Sequence, residues 1–356
     1  MQLGILSLVN HDPQQPGSDA AILRDQVAQA VLADALGLDA FWIAEHHACD
    51  YGGIVPANAV LAGAIASATR RIRIGAGGAI LTLHDPLEIA EQWAMVDCLS
   101  GGRLEFGMAR AFLPFEFALF GVDMDESRAR YEEAVAFLRQ AWSGADLGFC
   151  GRFRQVPALG PLTPLPVQRP HPPMWVAAAM TPESFVWAGK QGFRLMVVPY
   201  PIGLRRLNPL MQAYLEAYDA AGHPPQHRRI QATYHLLLAE DTATAKRLAE
   251  APLMHYLDSF VRAARRLQAR SADYAAYGKM VTALSQLTFD GLYERQRILV
   301  GSPEDVVAVL RHITATSPIT DFAFVVDFGL LDRALVRQTL TLLATAVAPA
   351  VRQQAG

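Results

Sequence analysis

Short apolar runs alternate with helix-forming segments along almost the whole chain. An apolar run bounded by turn residues is typical of a buried strand, and eight such runs occur, each followed by a helical segment. Eight consecutive βα units predict an α/β fold, a (β/α)8 TIM barrel with insertions. The predicted strands are residues 3–9, 40–44, 72–80, 104–109, 174–179, 195–199, 230–239 and 321–326.

The chain has 356 residues, which is enough for two average domains or for one large barrel. One domain over residues 1–356 is preferred because the βα alternation continues to the end. Residues 145–173 are rich in proline and glycine and predict an excursion over the barrel surface. Residues 270–297 follow no clear pattern and predict a long insertion that could be mobile.

Composition excludes several classes of protein. The chain is 52% hydrophobic with a net charge of -3, so it can build a large core and offers no electrostatic case for nucleic acid or an anionic membrane. Cys49, Cys98 and Cys150 lack C-x-x-C spacing, which predicts neither disulfides nor a zinc site but a reducing, cytoplasmic compartment. No signal peptide is expected, nor a membrane span, since no 18-residue apolar run occurs.

Polar or small residues follow the predicted strands at the barrel face where active sites lie. Side chains alternate along a strand, so only one of His46 and His47 can face the barrel axis. This alternation argues against a pair of histidines that binds a metal. The residues concerned are Glu45, His46 and His47 after strand two, Gly77 and Gly78 in strand three, Arg110 after strand four, and Thr181 and Ser184 after strand five.

Each of these features also has a purely structural explanation. The glycines could mark a bulge, and Thr181 and Ser184 could simply cap a helix. The same helix start could bind a phosphate, with Arg110 and Arg128 adding positive charge. The motifs H-E-x-x-H, G-x-S-x-G and G-x-x-x-x-G-K-[ST] are absent, which excludes the commonest zinc-protease, serine-hydrolase and P-loop sites.

Taken together, these segments resemble the bacterial luciferase family of flavin-dependent monooxygenases along nearly the whole chain. The best match is residues 106–110 (Phe-Gly-Met-Ala-Arg) followed by residues 120–128 (Phe-Gly-Val-Asp-Met-Asp-Glu-Ser-Arg), which are similar in order and spacing to the luciferase α subunit. Residues 45–47 (Glu-His-His) and 84–86 (His-Asp-Pro) match as well.

The resemblance implies a site for reduced FMN in the barrel mouth. His46 matches the family's catalytic histidine, Glu45 and His47 are its neighbours, and Glu116 falls where luciferase has an aspartate near the flavin. Gly77–Gly78 falls where the family has a non-prolyl cis peptide beneath the flavin ring. In two departures, Ala109 replaces a cysteine near the flavin and Met180 replaces a glutamate next to the phosphate loop. The implied phosphate-binding residues are Arg110, Arg128, Thr181 and Ser184.

The implied activity is that of a two-component, reduced-FMN-dependent monooxygenase. It would use O2, through a flavin C4a-(hydro)peroxide, to oxidise an aldehyde, ketone or other apolar organic substrate. A separate flavin reductase and a homodimer formed by the second and third helices are also expected. An apolar lining is needed to exclude water; the predicted lining residues are Phe112, Leu113, Phe115, Phe117, Trp175, Met180 and Tyr200.

Three alternatives stay open from the sequence. The same scaffold could serve a deazaflavin-dependent dehydrogenase, or a flavin-binding subunit without turnover. A metal-dependent hydrolase barrel is the third, and it would require a bound zinc ion. Substrate specificity is expected to reside in residues 112–117 and 270–297.

Overall fold

A computed structural model describes residues 1–12, 18–267, 271 and 274–352. Eight parallel strands form its barrel, which closes because the first strand pairs with the eighth, with Leu3 opposite Phe322. The predicted (β/α)8 barrel is therefore confirmed. Its strands are β1 (Leu3–Ser7), β2 (Ala40–Ile43), β3 (Arg73–Ile80), β4 (Leu104–Ala109), β5 (Met174–Ala177), β6 (Arg194–Val197), β7 (Ile230–Leu238) and β8 (Asp321–Val325).

Helices surround the barrel. A π-helical stretch, Leu343–Val347, joins the last two of them into one continuous rod. Short 3-10 helices lie at Met124–Glu126 and Pro225–His227. The α-helices are α1 (Ser18–Ala35), α2 (Asn58–Ala68), α3 (Pro86–Ser100), α4 (Pro114–Phe120), α5 (Ser127–Trp142), α6 (Pro182–Lys190), α7 (Leu204–Ala220), α8 (Thr242–Arg265), α9 (Ala275–Leu284), α10 (Phe289–Glu294), α11 (Pro303–Thr316), α12 (Arg333–Leu342) and α13 (Ala348–Arg352).

The two predicted insertions contain secondary structure. Within residues 145–173, Phe149–Cys150 pairs antiparallel with Gln155–Val156. In the segment 270–297, residues 270, 272 and 273 lie outside the described residues, and the described part contains α9 and α10. A short strand, Leu299–Gly301, then pairs with β7. That the whole chain forms one domain stays a prediction.

The sequence pattern predicts a loop at residues 112–117, after the fourth strand, but the structure has the helix α4 in this segment. Leu113 precedes Pro114 at the first helical position, and Gly121 ends the helix in the left-handed conformation at φ 64°. A first-turn proline and a terminal glycine are typical helix boundaries. The helix follows β4 and brings Glu116 against the barrel mouth.

A buried ionic network fills the barrel at the amino ends of the strands. The carboxylate of Glu105 accepts hydrogen bonds from Arg73 Nε at 2.5 Å, Trp175 Nε1 at 2.7 Å and Arg194 Nη1 at 2.8 Å. A buried carboxylate is tolerated because its charge is paired and its oxygens are hydrogen-bonded. The network links β3, β4, β5 and β6.

Tryptophan rings close the barrel above this network. The rings of Trp42 and Trp175 meet edge to face with their centroids 5.3 Å apart, and both are almost fully buried. Gly75 makes room for them, because a Cβ atom there would lie 2.1 Å from Trp42 Cε3. Because these rings and the network fill the barrel at the amino ends of the strands, its open space lies at the carboxyl ends.

One helical stretch, Arg333–Arg352, is long and apolar enough to cross a membrane by length and composition alone. Core helices pass the same test. Val336, Leu340, Val347 and Val351 on this stretch belong to the main hydrophobic core, so packing against the barrel accounts for its apolar character.

The Trp42–Gly75 contact predicts a strong effect of a single methyl group. Gly75→Ala should lower the free energy of unfolding by at least about 2 kcal/mol, since the indole cannot move within a closed barrel. Urea unfolding measures it. Gly278→Ala is the matched control, because nothing lies within 4 Å of the added Cβ in α9, and it should stabilise the protein by about 0.5 kcal/mol. Equal effects of the two substitutions would contradict this account of the barrel floor.

Candidate active site

A cavity of about 230 Å³ opens at the carboxyl ends of the barrel strands. It collects most of the site residues predicted from the sequence, although they come from four separate βα units. Of the predicted set, His47, Glu116 and Met180 do not line it. The predicted residues that do are Glu45, His46, Gly77, Gly78, Ala109, Arg110, Arg128, Thr181 and Ser184.

A fully buried carboxylate on α4 orients His46. Glu116 Oε1 lies 3.1 Å from His46 Nδ1 and accepts the main-chain N–H of His47 at 2.9 Å. One carboxylate oxygen thus fixes both the ring and the backbone beside it. With Nδ1–H donated to Glu116, Nε2 is the nitrogen that can exchange a proton with a molecule in the cavity. Glu116 does not line the cavity itself, so it affects a molecule bound there by orienting His46.

His47 does not line the cavity, and β2 ends at Ile43, before the Glu-His-His residues. His47 Nε2 lies 3.1 Å from Glu45 Oε1, and His84 Nε2 lies 2.5 Å from the same oxygen. The other oxygen, Oε2, accepts the main-chain N–H of Ile80 at 3.2 Å. His47 can therefore act on the cavity only through Glu45. The sequence analysis did not connect His84 with this cluster, although it noted the His-Asp-Pro motif.

The charges of this cluster shift its pKa values. Burial lowers the pKa of His84, but its hydrogen bond to Glu45 and the charges of Glu45 and Glu88 together raise it above the usual 6.5. Burial raises the pKa of Glu45, but the hydrogen bonds and charges of His47 and His84 together lower it. Both shifts favour the charged forms, so Glu45 and His84 form an ion pair up to a higher pH than an isolated histidine would allow.

Glu45, His47 and His84 also bring three possible metal-binding atoms within 4.8 Å of one another. The contacts to Glu45 have the lengths of hydrogen bonds, and the carboxylate uses its second oxygen on the backbone of Ile80. Hydrogen bonding therefore accounts for the arrangement without an ion.

The glycine pair lies on the cavity wall in an unusual backbone geometry. The pairing of β3 with β4 shifts register between Gly77 and Ala79, and Gly78 has φ 122°. A Cβ atom at Gly77 would lie 2.6 Å from Leu6 Cδ1. The expected cis peptide is not found here: within the described ranges, cis bonds occur at Thr163–Pro164 and Arg169–Pro170. Glycine's access to positive φ lets the strand change direction with a trans bond.

Positive charge and free hydroxyls gather at one end of the cavity. Thr181 is the N-cap residue of α6, yet its side chain makes no capping hydrogen bond. Arg110 and Arg128 line the same cavity, and Arg128 Nη1 lies 3.9 Å from Glu132 Oε1. A helix start with two guanidinium groups nearby suits a phosphate. Met180 packs against the core, so only its main chain could assist here.

The predicted apolar lining is correct only for Phe112 and Tyr200. Leu113, Phe115 and Phe117 are buried in the core because α4 turns them away from the cavity, and Trp175 belongs to the barrel floor. Further lining residues were missed: Tyr51, His235, Tyr256, Phe260, Tyr277 and Met280. Of these, Tyr277 and Met280 belong to α9, within the segment where substrate specificity was expected.

The Glu45–His84 pair predicts a pH-dependent contribution to stability. A histidine whose pKa is raised on folding stabilises fully below its unfolded pKa, near 6.5, and loses this effect as pH rises through the folded value. His84→Gln should therefore cost about 1–2 kcal/mol at about pH 6 and much less at about pH 9. Urea unfolding at both values measures it. A cost that is the same at both pH values would contradict the ion pair.

Comparison with known proteins agrees with this geometry. The family model described as luciferase-like monooxygenase matches residues 1–319. The crystal structure of monooxygenase RslO1 from Streptomyces bottropensis is 31% identical with a TM-score of 0.82, over 98% of this chain and 99% of that one. An N-acetyl-S-alkylcysteine monooxygenase of Bacillus subtilis is 28% identical over 98% of this chain and 99% of its own length.

A third relative bears on the cofactor. The oxygenase component of a flavin-dependent trigonelline monooxygenase from Acinetobacter baylyi is 33% identical over 190 residues. The match covers 53% of this chain and 52% of that protein, about half of its length. The prediction that this chain is an enzyme of the monooxygenase type is confirmed at the level of the family. The chain belongs to the luciferase-like monooxygenase family.

Proposed function

We propose that this protein is the oxygenase component of a two-component monooxygenase that uses reduced FMN and O2 to oxidise an aldehyde, ketone or other apolar organic substrate. The observation that carries the proposal is the chemistry of a single cavity. It combines a cationic, hydroxyl-bearing end with a carboxylate-oriented histidine and a wall of apolar and aromatic side chains. Family membership supports the same conclusion.

The residues present fit FMN. Its phosphate would be held by Arg110, Arg128, Thr181 and Ser184, which supply guanidinium groups, hydroxyls and a helix start. Gly77 and Gly78 leave a wall without side chains against which a flat ring can lie. Ala109 beside them adds only a methyl group.

Reduced flavin, when bound, supplies the two electrons that let O2 transfer one oxygen atom to the substrate while the other leaves as water. The chain's own residues supply shelter and proton transfer. Tyr51, Phe112 and Phe260 line the cavity with rings that exclude bulk water. His46, held by Glu116 through Nδ1, can take or give a proton at Nε2.

The partners follow from the same proposal. The sequence carries no dinucleotide-binding fingerprint, so a separate reductase would deliver the reduced flavin. The predicted homodimer through α2 and α3 stays a prediction; Val60 on α2 and Met95 and Leu99 on α3 are exposed apolar residues that such a contact would cover. Sedimentation velocity tests it. Cytoplasmic location stays a prediction as well.

His46 is expected to be the proton-transfer residue and His47 a supporting one. With reduced FMN supplied in excess, His46→Ala should lower the rate of substrate oxidation on the order of 10²- to 10⁴-fold. His47→Gln should have a far smaller effect, because His47 does not line the cavity. Product formation and hydrogen peroxide release measure both. Unaltered oxidation by His46→Ala would refute the role of His46.

The phosphate end is tested by comparing two flavins that differ only in the phosphate. Arg128→Met should weaken the binding of reduced FMN about 10- to 100-fold while leaving riboflavin binding unchanged. Anaerobic titrations followed by flavin fluorescence give both dissociation constants. An equal loss for both flavins would argue against a phosphate contact.

The three alternatives predict different results in this titration, in a substrate screen and in elemental analysis. Preferential binding of a deazaflavin cofactor would favour the dehydrogenase over the monooxygenase. FMN binding without substrate oxidation across a substrate screen would favour a subunit without turnover. Stoichiometric zinc by elemental analysis would favour the hydrolase.

A further inference from the structure

The side of the cavity formed by β6, β7 and the segments after them carries a group that the proposed function does not use. His235 lies on β7 and is 1% exposed, yet it lines the cavity. Neither Nδ1 nor Nε2 has a hydrogen-bond partner among the described residues. Buried polar atoms nearly always have partners, and an exception calls for an explanation.

Aromatic rings surround His235. The ring centroid of Tyr256 lies 4.3 Å away, that of Tyr200 5.2 Å away and that of Phe328 5.3 Å away. The hydroxyls of Tyr51 and Tyr256 are 3.2 Å apart. We call Tyr51, Tyr200 and Tyr256 the tyrosine cluster; all three line the cavity. An apolar side chain at position 235 would fill this aromatic box without leaving polar atoms unpaired.

The whole group is uncharged. Burial lowers the pKa of His235 to about 3, so the imidazole is neutral at physiological pH and offers one N–H donor and one acceptor nitrogen. Burial likewise raises the pKa of Tyr200 to about 12. Among the described residues that line the cavity, the charged ones are Glu45, Arg110, Arg128 and Glu132, which come from segments after β2 and β4.

His235 and the tyrosine cluster are distinct in position from the residues that we propose bind the phosphate. Thr181 and Ser184 follow β5, and both arginines follow β4, whereas His235 lies on β7. A cofactor anchored by its phosphate between the ends of β4 and β5 leaves the β7 side for a second molecule. In a monooxygenase the second molecule is the organic substrate.

We propose that His235, together with the hydroxyls of the tyrosine cluster, forms a substrate subsite that takes an uncharged oxygen, a carbonyl or a hydroxyl, of an otherwise apolar molecule. This inference rests on the proposed function and names its substrate class. Neutral donors and acceptors can pair with such an oxygen. A carboxylate or an ammonium group would lose its hydration there without gaining a counter-charge.

The test measures binding of five eight-carbon probes to the protein without flavin, in saturating inorganic phosphate so that the carboxylate of octanoate does not bind at Arg110 and Arg128. The probes are octan-2-one, octan-2-ol, octane, octanoate and octylamine. Ligand-observed NMR or tryptophan fluorescence gives each dissociation constant. The ketone and the alcohol should bind about tenfold more tightly than octane, octanoate or octylamine.

Variants of His235 and Tyr256 test whether these side chains cause the preference for the ketone. His235→Phe should remove most of the tenfold preference for octan-2-one over octane, and His235→Gln, which keeps a donor and an acceptor, should retain part of it. Tyr256→Phe removes one hydroxyl of the cluster and keeps the ring, so it should also weaken ketone binding selectively. Tyr234→Phe is the matched control: Tyr234 is the preceding residue of β7, is buried and does not line the cavity.

The outcomes separate the two proposals. The subsite is refuted if the wild-type protein does not prefer the ketone to octane, if octanoate binds best, or if both His235→Phe and Tyr256→Phe keep the full preference. Should His235→Phe fail to fold by circular dichroism, Tyr256→Phe and His235→Gln decide. Titration with reduced FMN is done in parallel: failure to bind it refutes the proposed function, whereas FMN binding without ketone preference refutes only the subsite.

Discussion

Closure of the barrel is the constraint on which the site depends. All eight strands are parallel, and the pairing of β1 with β8 closes them into a barrel whose carboxyl strand ends share one rim. Residues as far apart in sequence as His46, Arg110 and Thr181 therefore line one cavity. The opposite half of the barrel is filled by the Glu105 network and the paired tryptophans. Because these side chains fill the amino ends of the strands, the cavity lies at the rim where these groups meet.

Glu116 links the segment after β4 to the Glu-His-His turn after β2. A side chain on a short helix would normally be a poor support for a catalytic group. Glu116 is fully buried, and one of its oxygens contacts both the His46 ring and the His47 backbone. The helix α4 thus becomes part of the site. The Glu45–His84 pair supports the other side of the same Glu-His-His turn.

Much of this arrangement could be predicted from the sequence, and the exceptions have physical reasons. Continuous apolar runs located all eight strands, and the resemblance to the luciferase family singled out His46, which lines the cavity whereas His47 does not. The helix α4 was not predicted, and because it turns Leu113, Phe115 and Phe117 away from the cavity, only Phe112 of the lining residues expected in this segment is correct. His84 and His235 were overlooked because their importance depends on contacts across the fold: His84 meets Glu45 39 residues away, and His235 lies within an apolar strand.

The cavity has two chemically different halves because different strands contribute them. The charged lining residues Glu45, Arg110, Arg128 and Glu132 come from the segments after β2 and β4, while the described lining residues on β6, β7 and the helices that follow are neutral, among them Tyr200, His235 and Tyr256. Under the proposed function this division would orient two reactants relative to each other, with a phosphate beside the arginines and the uncharged oxygen of a substrate beside His235. Tyr277 and Met280 on α9 border this cavity without belonging to either set of polar contacts. Changes in α9 are therefore expected to alter the shape of the cavity without changing the residues that we propose bind the cofactor and transfer the proton.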